Sequence, residues 1–509
     1  MQEERALEEQ PYLPFPLHTL RSKKRALEEL SEPCGRFRSP LRVEESIRLL
    51  ISKQSRTFDV FGDATHVVGP GAPLNWYALL RYLRRQGVTE NATFTFRSVY
   101  NDLPKLYIAD LHAPNDIHKK IGYSSGFGYA REGEIESALS KAIGELLERY
   151  TLMSSRYDSP IRASYHDMRK RRGRTLNIFE LNDFLPWQKE QTLRFKRDAQ
   201  TPMHWVRGKT FDGRTAYLPA QLVFWDYYTE HDKEETILAQ ATTNGAAGHF
   251  SREEAILAGL LEHIQRDGFL IYWLNHLSPK IIDVAEVGDP KVQEILTSMQ
   301  RYGLEIYFLN TTSDITVPSI TCTIVDRRTD EPMLAMGAST GFNLEELIVH
   351  SADEALAVFN AAKRYPAYTL PRDYRPFSDS TLGHTRRLSV WRGKTMLERF
   401  SFFISGKCQC VEDFMGGKKC GDSPQEQLQY VVDTLHTKGS GYEIYLYEAR
   451  HKVLKALGYH VVRTIVPQLI PLHLSEHLAT LDSKRLREVP GKLGLTPAKE
   501  LNPWPHPFP

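Results

Sequence analysis

The sequence predicts a mixed α/β protein of the α+β class, in which a large body follows a small N-terminal unit. From about residue 106 onward, short runs rich in β-branched and aromatic residues alternate with segments of helical periodicity. Within this body, a pattern of glycine, helix and glutamate recurs three times. The chain has 509 residues, which is long enough for a large core or for several domains.

The N-terminal part divides into two regions. Residues 1–40 mix charged residues with proline, which is typical of an extended lead-in. Residues 41–105 are predicted to form a small separate unit of unassigned role, because Trp76, Leu79 and Leu83 share one helical stripe. Residues 106–509 are then the main body, which ends in a proline-rich tail at residues 503–509.

Several apolar runs of the main body are predicted to be strands, because β-branched and aromatic residues dominate them. They are FLIYWL at residues 269–274, LEIYFLN at 304–310, ITCTIVD at 320–326 and HVVRTIVP at 460–467.

Composition bears on the compartment and on the partners. Lysine and arginine total 65 against 63 aspartates and glutamates, so no overall charge favours nucleic acid or an anionic membrane. The N-terminus lacks the apolar run of a signal peptide, and no stretch approaches the length of a membrane helix. The five cysteines are too few for a disulfide scaffold. We therefore expect a cytoplasmic protein that binds neither nucleic acid nor membrane.

A cluster of cysteines could in principle bind a metal ion. Cys408, Cys410 and Cys420 offer three thiols in a stretch rich in glycine and lysine. Structural zinc sites normally have four ligands and a CxxC spacing, so free thiols in a loop are the better interpretation.

The threefold pattern has a regular spacing. Its copies begin at Gly128, Gly245 and Gly337, and in each copy a glutamate follows the glycine by 17 residues. Three positions before that glutamate stands a small residue, where the helix is expected to pack closely against a neighbour. These glutamates and small residues are Glu145, Glu262, Glu354, Ala142, Gly259 and Ser351.

The first two copies carry more polar groups than the third. Positions i, i+3 and i+4 share one face of a helix, so each of these copies presents a small polar cluster. The third copy has Ala357 and Val358 at the last two positions and offers a single carboxylate. The two polar clusters are Glu145, Glu148 and Arg149, and Glu262, Gln265 and Arg266.

Three helices that each direct a carboxylate toward a common centre would be costly without cations. Mg²⁺ prefers oxygen ligands and commonly joins carboxylates to substrate phosphates, while arginines bind phosphate oxygens. The pattern therefore indicates nucleotide binding without a P-loop, since both GKT motifs lack the required preceding glycine, with Met203 and Leu388 in its place. The alternative is a set of solvent-facing salt bridges that was kept after duplication of a helix.

Three blocks together resemble the YcaO family, specifically its azoline-forming cyclodehydratases. They are GELLERY at residues 144–150, NGAAGHFSREEAILAGLLEHIQRDGF at 244–269 and LNPWPHPFP at 501–509. The resemblance extends over residues 106–509. It implies a YcaO-type ATP-binding fold with ATP and Mg²⁺ as cofactors. It also implies ATP-dependent conversion of Cys, Ser or Thr residues of a ribosomal precursor peptide to thiazolines or oxazolines.

The resemblance also implies roles for individual residues. Three acids are expected to bind Mg²⁺, five further residues to bind the nucleotide, and three prolines to bring the tail and its terminal carboxylate into the active site. In that order they are Glu145, Glu148 and Glu262; Arg149, Asn244, Gln265, Arg266 and Glu354; and Pro505, Pro507 and Pro509.

The implied partners are a ribosomal precursor peptide, an E1-like protein that binds its leader, and a flavin-dependent dehydrogenase. Some positions depart from the family pattern: Lys141 replaces a common serine, Gln265 replaces a glutamate, and Phe127 interrupts a glycine-rich lead. These departures leave two alternatives open. One is a YcaO enzyme that forms thioamides or amidines, and the other is a non-catalytic scaffold with the same fold.

Overall fold

The structure is a computed structural model. It describes residues 58–59, 76–97, 106–112, 126–131, 135–153, 160–227, 235–363, 365–378, 382, 384–416, 420–437 and 442–508. The predicted lead-in at residues 1–40, most of the predicted unit at 41–105, and Pro509 lie outside the described residues.

The described strands are β1 (Phe58–Asp59), β2 (Asn91–Arg97), β3 (Leu106–His112), β4 (Gly126–Arg131), β5 (Ile161–Ser164), β6 (Arg174–Thr175), β7 (Pro202–Thr210), β8 (Thr215–Pro219), β9 (Ala246–His249), β10 (Lys280–Ile282), β11 (Glu305–Asn310), β12 (Ser319–Asp326), β13 (Met333–Thr340), β14 (Cys408–Gln409), β15 (Tyr445–Glu448) and β16 (His460–Ile465).

The described helices are α1 (Trp76–Arg85), α2 (Ile135–Thr151), α3 (Tyr165–Met168), α4 (Pro186–Gln191), α5 (Ala220–Val223), α6 (Arg252–Leu274), α7 (Pro290–Arg301), α8 (Leu344–Ala362), α9 (His384–Val390), α10 (Lys394–Phe400), α11 (Val411–Met415), α12 (Pro424–His436), α13 (Lys452–Leu457) and α14 (Lys484–Lys492). Within these ranges, each helix is too short or too polar to cross a lipid bilayer.

The strands form three sheets, so the mixed α/β prediction is confirmed. The first has the order β1-β2-β3-β4, the second β6-β8-β7-β15-β16-β9 with β5 paired to β7, and the third β13-β12-β11-β10-β14. Pairing is antiparallel except between β6 and β8 and between β10 and β14. β2 lies before the predicted boundary at residue 105, yet it pairs along its length with β3 beyond that boundary.

The three repeated segments occupy equivalent places in these sheets. β4, β9 and β13 each form an edge of one sheet. Each of these strands is followed by a helix that packs against it, namely α2, α6 and α8. The helices also contact one another's strands in a cycle: α2 contacts β9, α6 contacts β13, and α8 contacts β4. The three edge strands and their helices therefore surround a common centre.

Glycines allow the strands to approach these helices closely. A Cβ atom on Gly128 would lie 1.9 Å from the carbonyl oxygen of Ala138, and one on Gly337 would lie 2.5 Å from that of Ser351. Such distances are far below van der Waals contact, so only glycine fits at these two positions. The small residues Ala142 and Ser351 are fully buried at these contacts, as the repeat predicts.

One predicted strand is wrong. Residues 269–274 form the last part of helix α6, whereas the predictions for β11, β12 and β16 are confirmed. All six side chains from Phe269 to Leu274 are buried, among Trp391, Phe400 and other aromatic residues. A helix that is buried on all sides shows no polar face, so periodicity cannot distinguish it from a buried strand.

Candidate functional site

Each repeated unit ties its glutamate to the backbone of the preceding segment. The N–H of Phe127 donates to Glu145 Oε2 at 2.5 Å, that of Gly245 to Glu262 Oε2 at 2.8 Å, and that of Ala338 to Glu354 Oε2 at 2.7 Å. The donors stand 18, 17 and 16 positions before the three glutamates, so the three hydrogen bonds are of one kind but their donor shifts by one residue from copy to copy. Because the units surround a common centre, these hydrogen bonds direct the three carboxylates toward that centre.

The two predicted arginines pair with glutamates on their own helices. Arg149 Nη2 lies 2.7 Å from Glu145 Oε1, and Arg266 Nη2 lies 3.6 Å from Glu262 Oε1. The arginine side chains are only 19% and 15% exposed. The salt bridges of the alternative interpretation therefore exist, but their side chains are largely buried rather than on an open surface.

A cavity of about 390 Å³ lies beside the second of these pairs. Its walls include four residues that the sequence assigned to the site: Glu262, Gln265, Arg266 and Glu354. Its volume is in the range of small-molecule sites. Residues of all three repeated units line the cavity, and those of the second and third units make up most of its wall.

The carboxylates of Glu145, Glu148 and Glu262 lie close enough together for their charges to repel one another. Burial raises the pKa of Glu148 well above its ordinary value, and the charges of Glu145 and Glu262 raise it further. The backbone N–H of Gly248 in β9 donates to Glu148, which opposes the shift. Burial also raises the pKa of Glu354, although the charge of Arg266 opposes this change. Crowded acids of this kind are stabilised by a bound cation.

Asn244 is positioned by a buried histidine at the start of the second unit. Its Nδ2 lies 3.2 Å from Nδ1 of His263, whose Nε2 lies 2.9 Å from the carbonyl oxygen of Thr464. A carbonyl can only accept, so Nε2 carries the proton and Nδ1 accepts from Asn244. Burial lowers the pKa of His263 to about 4, which keeps the ring neutral at physiological pH. His263 therefore orients Asn244.

Sequence reasoning missed other residues of the cavity wall, including Tyr129, Lys141 and His350. Lys141 Nζ donates to the carbonyl oxygen of Tyr129 at 3.2 Å and lies 4.8 Å from the centroid of its ring. Burial raises the pKa of Tyr129 well above its ordinary value, and the charge of Glu354 adds to the shift. The only signal for these residues was that Lys141 departs from the serine common at its position.

The proline-rich segment, defined here as residues 502–508, reaches the same site. The Phe508 ring centroid lies 4.1 Å from Arg266 Cζ, and its side chain is 1% exposed. Pro505 and Pro507 are buried beside it. The segment thus reaches the cavity wall through Phe508, two of the three predicted prolines are buried in it, and Pro509 lies outside the described residues.

The site fits a nucleotide and Mg²⁺ by the chemistry of its own atoms. Arg266 Nη1 and Asn244 Oδ1 are buried and have no hydrogen-bond partner among the described residues. A guanidinium donor without a partner suits a phosphate oxygen. Within the same ranges, no three His, Cys, Asp or Glu side chains form a complete metal centre, and this includes Cys408, Cys410 and Cys420. Mg²⁺ needs none, since it keeps several waters and binds one or two carboxylates together with substrate phosphates.

A model of one protein family, described as a YcaO cyclodehydratase that binds ATP and Mg²⁺, matches residues 131–470. The chain belongs to the YcaO family. The matched residues include β9, α6, β13 and α8 in full. The predicted YcaO fold, and ATP and Mg²⁺ as its cofactors, are therefore confirmed.

Solved structures share this YcaO fold. A heterocyclase in complex with substrate and cofactor is 19% identical, with a TM-score of 0.63 over 81% of this chain and 54% of that chain. YcaO from Methanopyrus kandleri bound with AMPPCP and Mg²⁺ is 16% identical, with a TM-score of 0.52 over 79% and 91%. The E. coli microcin synthetase McbBCD complex with pro-MccB17 bound is 16% identical, with a TM-score of 0.52 over 82% and 96%. At these identities the likeness concerns the fold.

The relatives found by sequence match only part of this chain and part of their own length. An uncharacterized protein of Methanothermobacter thermautotrophicus is 26% identical over 160 residues, which are 31% of this YcaO chain and 41% of that protein. An uncharacterized protein in the tfuA 3′ region of Rhizobium leguminosarum bv. trifolii is 22% identical over 258 residues, 50% and 56% of the two chains. The chain thus spans about half the length of the curated relatives it matches.

Proposed function

We propose that this YcaO chain is an ATP-dependent, azoline-forming cyclodehydratase. It would convert Cys, Ser or Thr residues of a ribosomal precursor peptide to thiazolines or oxazolines. One observation carries the choice among YcaO activities: Phe508 of the proline-rich segment lies over Arg266, which lines the cavity. A proline-rich segment of this kind resembles one found in azole-forming members, so its contact with the cavity wall favours that activity over thioamide or amidine formation.

The reaction requires a thiol or hydroxyl to attack the preceding amide carbonyl and the carbonyl oxygen to leave. ATP supplies the phosphoryl group that turns this oxygen into a leaving group. In our proposal Mg²⁺ would be held by one or two of the acids Glu145, Glu148 and Glu262 together with the nucleotide phosphates, since the crowded charges of these acids favour a cation. This assignment gives the repeated carboxylates their function.

The remaining site residues would bind and orient the nucleotide. Arg149 and Arg266 would contact phosphate oxygens through guanidinium groups that their glutamates already orient. Asn244 offers a buried Oδ1 that lacks a partner among the described residues, and Gln265 offers an amide in the cavity wall. Glu354, which lines the cavity and whose pKa is raised by burial, would add a carboxyl group to the nucleotide site.

The proline-rich segment would complete the site from the other side. Phe508 stacks on one face of Arg266 and is itself almost fully buried. Pro505, Pro507 and Pro509 would keep the segment extended, because proline fixes its own φ. We propose that the end of this segment assists proton transfer from the attacking side chain.

The partners in this proposal are the precursor peptide, an E1-like protein that binds its leader, and a flavin-dependent dehydrogenase that oxidises azolines to azoles. Two of the solved structures support a bound substrate and partner proteins in general, since one is in complex with substrate and the other is a McbBCD complex with pro-MccB17 bound.

The experiment uses the purified chain, Mg²⁺-ATP and synthetic peptides that contain Cys, Ser or Thr, with and without a co-expressed E1-like protein. Ring formation is measured as loss of one water by mass spectrometry and as phosphate release. We expect ring formation in the wild type, and its loss after deletion of residues 505–509 with AMPPNP binding retained. AMPPNP binding without ring formation under any of these conditions would favour the scaffold.

A further inference from the structure

The proline-rich segment is held at several points before it reaches the site. The Tyr374 hydroxyl donates to the carbonyl oxygen of Pro503 at 3.1 Å, and Trp273 Nε1 donates to that of Trp504 at 3.2 Å. Arg399 Cζ lies 3.5 Å from the centroid of the Trp504 ring. Proline has no N–H to donate, so the main chain of this segment is fixed mainly through its carbonyl groups.

The contact that lies nearest to Phe508 along the segment involves a buried ion pair. Arg387 in α9 and Glu476 are both fully buried, with 2.7 Å between Nη2 and Oε1. The same guanidinium donates from Nη1 to the carbonyl oxygen of His506 at 3.0 Å and from Nη2 to that of Leu474 at 2.7 Å. His506 Nε2 lies 2.5 Å from the carbonyl oxygen of His473. His506 is therefore fixed through both its main chain and its side chain.

The protonation states of these groups keep the contacts in place at physiological pH. Burial raises the pKa of Glu476, but the opposing charge of Arg387 outweighs it and brings that pKa to about 2. Burial lowers the pKa of His506 well below its ordinary value, and the charges of Arg387 and His473 add to this shift. Glu476 is thus charged and His506 neutral, and both contacts are compatible with these states, since a carboxylate accepts from Arg387 and a neutral imidazole can donate from Nε2.

His506 lies two positions before Phe508, the residue that reaches the cavity wall. Phe508 lies over Arg266, and its ring centroid is 5.3 Å from that of Phe269. Pro507 stands between His506 and Phe508, and its fixed φ leaves little slack between them. The position of His506 therefore sets the position of Phe508.

We propose that Arg387 and Glu476 are positioning residues that hold the proline-rich segment against Arg266 and so determine the rate of ring formation, without contributing to nucleotide affinity. This inference rests on the proposed cyclodehydratase activity. It assigns a role to the buried ion pair between Arg387 and Glu476. Neither residue belongs to the repeated polar pattern.

The first test is the variant Arg387→Lys. Lysine keeps the charge opposite Glu476 but loses the planar fork that binds His506 and Glu476 together. We expect ring formation on the synthetic peptides to fall about tenfold or more in kcat, since small misplacements of a positioned group cost this much. The dissociation constant for Mg²⁺-AMPPNP should stay within about twofold of wild type.

Hydrogen–deuterium exchange gives a readout that does not depend on activity. Exchange at the amides of residues 502–508 should rise about tenfold or more in Arg387→Lys, while α12 stays protected. The matched control is Arg197→Lys, because Arg197 is another buried arginine that donates to carbonyl groups, those of Ile178 and Leu181, and does not contact the segment. It should leave both exchange at residues 502–508 and kcat unchanged.

A second variant separates loss of the contact with His506 from loss of the fold. In the double variant Arg387→Met/Glu476→Gln, no unpaired charge remains buried, so the fold should persist while the hold on His506 is lost. Unchanged exchange at residues 502–508 in both variants would overturn the inference, as would a parallel loss of AMPPNP affinity. A wild type that forms no ring would overturn the proposed function instead, and the exchange measurement would then decide the positioning role independently.

Discussion

Arg131 and Asp353 join the first repeated unit to the third. Arg131 Nη2 lies 2.8 Å from Asp353 Oδ1, and both side chains are buried. Arg131 ends β4, and Asp353 directly precedes the glutamate of α8. Because α8 contacts β4, this pair closes the cycle in which each helix packs on its own strand and on the next. The geometry of the cavity therefore depends on it.

Breaking this pair should destabilise the protein. Asp353→Asn leaves Arg131 buried with only Glu294, which is 57% exposed, as an acidic partner. A buried pair that loses one charge typically costs about 3 kcal/mol or more in the free energy of unfolding. Urea denaturation measures it, and Lys170→Gln, which breaks an exposed pair with Asp167, serves as the control with little expected effect. Equal effects of both substitutions would contradict a structural role for Asp353.

Removing one charge at the centre should weaken nucleotide binding. Glu262→Gln keeps the size of the side chain but removes a carboxylate from the cavity wall. We expect affinity for Mg²⁺-AMPPNP to fall about tenfold or more, since a charge-assisted contact is worth a few kcal/mol. Calorimetric titration with and without Mg²⁺ measures it. Glu345→Gln on the exposed side of α8 is the control, and an equal loss there would show that the effect is not local.

Glu148 should make the stability of the ligand-free protein depend on pH. Its pKa in the folded state is raised above the ordinary value of 4.5 by burial and by Glu145 and Glu262. The folded state therefore binds this proton more tightly than the unfolded state, and the resulting stability is lost as the pH rises through the raised pKa. Glu148→Gln should gain stability relative to wild type as the pH rises above 4.5.

Thermal unfolding at a series of pH values, without Mg²⁺ or nucleotide, measures this difference. Glu345→Gln, at an exposed position of α8, is measured alongside as the control. Mg²⁺ requires the charged carboxylates, so affinity of the wild type for Mg²⁺-AMPPNP should increase over the range in which ligand-free stability falls. A stability difference for Glu148→Gln that is independent of pH would contradict the raised pKa.

The close contact between β4 and α2 should not tolerate a methyl group. In Gly128→Ala the new Cβ would meet the Ala138 carbonyl oxygen at 1.9 Å, so the helix must shift. We expect a loss of about 1–3 kcal/mol in the free energy of unfolding, with weaker nucleotide binding because Glu145 moves with α2. Gly288→Ala is the matched control, since nothing lies within 4 Å of its added Cβ. Denaturation measures the free energy of unfolding and calorimetry the nucleotide affinity of both variants. Equal values for Gly128→Ala and Gly288→Ala would contradict the close contact.

Several features of the site were predictable because short-range geometry encodes them. The spacing of 17 residues between Gly128 and Glu145, repeated twice, specifies a strand, a turn and a helix face. A hydrogen bond to that glutamate from the backbone of the strand, or of the residue just before it, is present in every copy. The family blocks added the identity of the nucleotide and the ion. These are local or recurrent signals, and a single sequence can carry them.

Other features depended on contacts between residues far apart in the chain. Tyr129 and His350 belong to the cavity wall because α8 contacts β4, and no spacing in the sequence signals that contact. Residues 269–274 have strand-like composition, but their position among Trp391 and Phe400 makes them part of α6.

The amino-acid pattern alone was sufficient to predict the class of fold, the repeated glycine-to-glutamate units and the polar faces of α2 and α6. Folding was required to turn three separate faces into one site and to seat Phe508 on Arg266, which lies 242 positions earlier in the sequence. The physical reason is that helix periodicity and glycine conformation act over a few residues, whereas burial, desolvation and charge repulsion depend on which distant segments meet.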